Sequence, residues 1–133
     1  MNKSELLRTV VIGCEHSAGA ALDALRAEGV ELPAGVTWLS VPCGASVDAL
    51  SILRAFEHGA ERVLVLVCQR GACRSEEGDI WAERRVATAR RLLDQVGLGS
   101  WRVELYHIAP NMGVDILQRI RSFQERAAEE PAD

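Results

Sequence analysis

Short apolar runs alternate along the chain with longer stretches whose apolar residues recur at helical spacing. Thr9-Val-Val-Ile12 is the first run, and behind it Ala18, Ala21, Leu22 and Leu25 fall at i, i+3, i+4 and i+7, one face of a helix. Val36 to Val41 predicts a second strand. Ala49, Ile52, Leu53 and Phe56 then repeat the helical stripe, with Gly59 placed to close it as a C-terminal cap. Val63 to Val67 has no polar alternation and predicts a third strand, followed by a long stripe of Ala82, Val86, Ala89, Leu93 and Val96 that ends at Gly97. Val103 to Ile108 predicts a fourth strand. After Pro110 the last helix carries Ile116, Leu117, Ile120, Phe123 and Ala127, and residues 129–133 are expected to fray.

Strands alternating with helices imply a parallel sheet, because each parallel connection needs a crossover and the helix supplies it. The expected fold is a doubly wound, flavodoxin-like α/β domain with a four-stranded sheet. Its first and third strands, apolar throughout, belong in the centre. The second strand is broken by Thr37 and Ser40, and the fourth alternates Arg102, Glu104 and Tyr106 with Val103, Leu105 and His107, so both belong at edges. Right-handed crossovers then favour the spatial order 2-1-3-4. At 133 residues the chain is expected to form a single domain, residues 1–133, and the stretch from Gly29 to Gly35 reads as a surface connection within it.

Composition narrows the class. A content of 48% hydrophobic and 26% charged residues is that of an ordinary globular protein, and only 5% aromatic residues point to an aliphatic core. No apolar run approaches the roughly 18 residues of a membrane span, and the start Met-Asn-Lys-Ser-Glu lacks the order of a signal peptide, so a cytoplasmic location is expected. The net charge of -4 gives no electrostatic reason to bind nucleic acid. Gly13 and Gly19 flank the first loop without a Gly-x-Gly-x-x-Gly fingerprint, which argues against NAD. Neither a nucleophile elbow nor His-Glu-x-x-His occurs, so no catalytic residue is assigned.

The candidate chemistry lies in the cysteines, of which there are four: Cys14, Cys43, Cys68 and Cys73. A chain of this length does not need disulfide staples, and in a reducing compartment such a set points to a metal site or redox chemistry. Cys14 follows the first predicted strand, Cys43 the second, Cys68 ends the third and Cys73 lies in the loop beyond it, so all converge at one end of the sheet. Ligands of open α/β sheets bind there, at the switch point between the first and third strands. Tetrahedral sulfur sites select zinc or iron–sulfur clusters. Structural zinc usually takes two Cys-x2-4-Cys knuckles, whereas the only close pair here is Cys68-Gln-Arg-Gly-Ala-Cys73. That spacing suits a [2Fe–2S] cluster bound by Cys14, Cys43, Cys68 and Cys73, and Arg70 and Arg74 would oppose its negative charge. A zinc-stabilised adaptor and a thiol redox sensor using Cys68 and Cys73 remain the alternatives.

Three runs then bear a resemblance: Ile52-Leu-Arg-Ala-Phe-Glu-His-Gly-Ala60, Val63-Leu-Val-Leu-Val-Cys-Gln-Arg-Gly-Ala-Cys73 and Glu77-Gly-Asp-Ile-Trp-Ala-Glu-Arg-Arg-Val86, with Pro42-Cys43-Gly44 as a further match. From about Cys14 to Val96 the chain resembles the delta (iron–sulfur) subunit of methyl-viologen-reducing hydrogenase. The resemblance implies a [2Fe–2S] electron-transfer subunit between a partner oxidoreductase, such as a hydrogenase, formate dehydrogenase or other reductase, and a heterodisulfide-reductase-A-like flavoprotein. The chain departs from that pattern in Cys14-Glu-His-Ser17, where relatives often carry further cysteines, and in Gln69, Ala72 and Arg74-Ser75, where they carry His, Asp and His-Tyr.

Other polar groups receive ordinary roles. His16 and His107 fall at the thiol end and are read as outer or loop groups, since four thiols already suffice. His58 is read as a surface residue at a helix end. Arg84, Arg85, Arg90 and Arg91 read as a solvated face interleaved with Glu83 and Asp94, and Glu77 and Asp79 as helix-start acids.

Overall fold

The computed structural model describes residues 8–42, 47–68, 78–108 and 113–128. Its strands are β1 (Thr9–Cys14), β2 (Val36–Val41), β3 (Arg62–Val67) and β4 (Val103–His107), and its helices are α1 (Ala20–Ala27), α2 (Ala49–Glu57), α3 (Gly78–Gln95) and α4 (Gly113–Ala128). All strand pairs are parallel, in the order β2-β1-β3-β4. Central β3 is buried along its whole length and edge strand β2 is half to fully exposed, as their sequence patterns require.

Helices cover both faces. Val11, Leu64 and Leu66 pack with Ala18 and Ala21 and with Ile116, Ile120 and Phe123 of α4. On the other face Ile12, Val63, Val65 and Val67 pack with Ile52 of α2 and with Ala82, Val86, Ala89 and Leu93 of α3. Alternate residues of β1 and β3 thus feed opposite cores, the period-2 consequence of the pleat. Gly113 lets α4 start hard against α1, since a β-carbon there would stand 3.2 Å from the Ala21 carbonyl oxygen and 3.0 Å from Leu25.

The boundaries differ from the expected ones in instructive ways. β1 runs two residues past Ile12, because Gly13 and Cys14 continue the ladder against Ser40 and Val41, so Cys14 is the last residue of the strand and not part of a loop. Gly13 is tolerated inside a strand because the Trp38 indole occupies the space its β-carbon would need. β3 stops at Val67 with Cys68 just beyond, and β4 stops at His107. Between β1 and α1 the chain makes a π turn, Glu15–Gly19, which the apolar periodicity does not announce. Val96 is not on the buried stripe: it is 69% exposed, because α3 ends at Gln95 and the chain reverses through Gly97, φ +85°, with the Leu98 N–H returning to the Leu93 carbonyl.

Candidate metal centre

The two central strands end side by side, and each delivers a cysteine. Cys14 closes β1 at 1% exposure and Cys68 follows β3 at 5%. Their sulfurs stand 3.7 Å apart. The Cys14 thiol also lies 3.9 Å from the carbonyl oxygen of Pro42, which sits just past β2, so the end of β2 borders the same corner. Cys43 and Cys73 lie outside the described residues, as do Arg70, Arg74, Glu77 and the expected frayed end at 129–133; the Asp79 side chain is likewise outside. Among the described residues no three metal-ligating side chains gather.

The donor pair fits a metal. Two thiolates on one tetrahedral ion, each about 2.3 Å from it, stand about 3.8 Å apart, close to the observed separation. A second observation is Ser17, buried in the π turn three residues after Cys14, whose hydroxyl has no hydrogen-bond partner among the described residues. An unsatisfied buried hydroxyl costs about 1–3 kcal/mol, and an anionic sulfur group near Cys14 would supply an acceptor.

His107 is accounted for differently. Its Nδ1 donates to the Cys68 carbonyl oxygen at 2.8 Å, and its Nε2 lies 3.0 Å from a Glu83 carboxylate oxygen. With both ring nitrogens on oxygen, neither is left to coordinate a metal. His16 is exposed on the π turn, and His58, also exposed, caps the end of α2.

Glu83 is the residue that sequence reasoning missed, having read it as a solvated helix charge. Glu83 and Arg90 lie seven residues apart on α3, and both reach β4, Glu83 at His107 and Arg90 at the other end of the strand. Arg90 meets the Val103 carbonyl at 3.0 Å and Glu104 at 3.6 Å, near the start of the strand that His107 ends. Arg85 is not simply solvated either, since it donates to the Val47 carbonyl at 2.9 Å and so holds the chain between β2 and α2. Asp94 receives the Ser100 N–H at 2.8 Å. Arg84 and Arg91 are exposed, as expected.

A cavity of about 720 Å³ lies elsewhere, at the amino ends of β1 and β2 beside α2, lined among others by Arg8, Leu39, Arg54 and His58. Its size does not make it the site, because neither described cysteine, Cys14 or Cys68, lines it.

A parallel α/β sheet that buries paired thiols at the carboxyl ends of its central strands defines a thiol-bearing, flavodoxin-like domain. Residues 9–129 match the family model of the methyl-viologen-reducing hydrogenase delta subunit, and the chain belongs to that family. It is 31% identical over 126 residues to the iron-sulfur subunit of the F420-non-reducing hydrogenase vhu of Methanopyrus kandleri, covering 95% of this chain and 96% of that one. The namesake protein of Methanocaldococcus jannaschii is 33% identical over 96 residues, 72% of each chain. A second kind of relative is the A component of the ferredoxin:CoB-CoM heterodisulfide reductase of Methanosarcina mazei, 23% identical over 128 residues, which are 96% of this chain and 16% of that component. Among the described residues no helix is long and apolar enough to cross a membrane.

Proposed function

We propose that the chain is an electron-transfer subunit of an oxidoreductase complex, holding a [2Fe–2S] cluster through Cys14, Cys43, Cys68 and Cys73. The observation that carries this reading is the 3.7 Å separation of two buried thiols at the ends of adjacent central strands. When bound, the cluster supplies one-electron carriage. The chain's own residues do the rest. β1 fixes Cys14 within the sheet, Cys68 follows directly on the end of β3, and the burial of both excludes water from their side of the site. The partner oxidoreductase would be of hydrogenase type, and the electron acceptor or donor on the other side a heterodisulfide-reductase-A-like flavoprotein. The relatives' names support both assignments, and so does the alignment of nearly all of this chain within one such reductase component. The cytoplasm is the compartment that suits a thiol-based metal site.

Anaerobic purification followed by metal and sulfide analysis tests the assignment, with about two irons and two acid-labile sulfides expected per chain. One zinc per chain without iron would replace it by a zinc-stabilised adaptor, which the sulfur separation fits equally well. The same separation favours a second reading, reversible disulfide formation between Cys14 and Cys68, in which two thiols release two protons and two electrons to an oxidant such as a partner disulfide. A metal-free chain whose Cys14 and Cys68 cross-link reversibly would establish that reading.

A further inference from the structure

We infer that His107 and Glu83 form a clamp that positions the Cys68 ligand and tunes the group it holds; the tuning half rests on the cluster reading above. The clamp begins where the sheet stops. The Ile108 N–H makes a backbone bond from the β4 side to the Val67 carbonyl at 2.7 Å, and one residue later the Cys68 carbonyl is met by a side chain. A carbonyl oxygen only accepts, so Nδ1 of His107 carries the hydrogen of that 2.8 Å bond. Glu83, 3.0 Å from Nε2, then fixes the ring from the α3 side. Three elements thereby converge on one ligand backbone: the end of β3 leads into Cys68, β4 supplies His107 and α3 supplies Glu83.

The consequence is positional and electrostatic. A ligand just beyond the end of a strand has lost the ladder that would hold it, and the imidazole restores a directional bond there. That bond also sets a donor dipole beside a thiolate ligand, and outer hydrogen bonds are among the things that shift cluster potentials. Both side chains are about one-third exposed, so the clamp sits at the boundary between the buried thiol and solvent.

The variants are His107→Ala, which removes the clamp, His107→Asn, whose amide nitrogen can take the place of Nδ1, and Glu83→Gln, which weakens the grip on the ring while leaving the Cys68 bond. In the loaded protein, His107→Ala should lower the midpoint potential and speed iron release to a chelator by roughly 10-fold or more. His107→Asn should restore most of both, and Glu83→Gln should fall between. Wild-type potential and release rate in His107→Ala would overturn the inference. Should that variant fail to fold, wild-type values in Glu83→Gln would do the same. An independent arm uses the cluster-free chain: alkylation of Cys68 by iodoacetamide, mapped by mass spectrometry, should be roughly 10-fold faster in His107→Ala and near wild type in His107→Asn. If wild-type protein takes up no iron, the cluster reading fails while this arm still judges the clamp, and an unchanged alkylation rate overturns it.

Discussion

Gly13 shows how a single missing methyl group shapes the thiol end of the sheet. It lies one residue before Cys14, and any β-carbon there would run into the Trp38 indole, whose Nε1 is tied to Ser40 at 3.1 Å. Gly13→Ala should therefore destabilise the chain by about 1–3 kcal/mol in denaturant titration, and adding Trp38→Leu should recover most of the loss. For the thiols themselves, Cys14→Ser and Cys14→Ala should each lose most bound iron while keeping the wild-type far-ultraviolet circular dichroism. Full iron retention in either would remove Cys14 from the ligand set. The sequence showed which residues could ligate, because cysteine is chemically conspicuous. It did not show Glu83, because a carboxylate on a helix looks the same whether it faces water or, as here, an imidazole on the neighbouring strand.

At the scale of elements, α2 begins on a sharp signal. Asp48 caps it, accepting the Ser51 N–H at 2.6 Å, and Arg85 holds the adjoining Val47 carbonyl, so the chain leaving β2 is fastened where it enters the helix. The Ser51 backbone bond, helped by the Ser51 hydroxyl, Arg85 and Arg54 and opposed by slight burial, keeps the Asp48 carboxyl below its ordinary value. A lowered carboxylate adds stability above its unfolded value, near pH ~4, and that stability fades as pH falls through the lowered folded value. Asp48→Ala should cost about 1 kcal/mol at neutral pH. Asp48→Asn should keep most of the cap while flattening this part of the acid titration, which thermal melts at successive pH values would follow. The helices were legible because their stripes are buried, with Ile52, Ala82, Val86, Ala89 and Leu93 all inside. Their ends were less so: Val96 keeps the helical period in sequence, but the turn at Gly97 overrides it.

The strand order of the whole molecule was readable from sequence because hydrophobic continuity marks central strands, and crossover handedness leaves few ways to arrange four of them. The register between β1 and β3, which sets Cys14 beside Cys68, was not readable, since it depends on backbone pairing that apolar residues of similar size do not encode. Because the proposed ligands come from segments that only the folded sheet brings together, metal loading should stabilise the whole domain. The loaded protein should melt higher than the stripped one, and a chelator should reverse the gain. Phe123→Ala, on the opposite helical layer, should lower stability by about 3–5 kcal/mol.

The π turn between Cys14 and α1 makes this junction a place where chain length can change. A π turn holds one residue more than an α turn, so the segment carries a spare position. Losing an exposed residue there, Glu15 or His16, lets the turn close as an ordinary α turn while Ala21, Leu22 and Leu25 keep their facing. Losing Asp23, equally exposed but inside α1, would instead rotate Leu25 by about 100° out of its core. Two deletions of the same size, eight residues apart or fewer, would thus differ sharply in what they leave folded, and the first strand could keep its thiol in place while the loop beside it shortens.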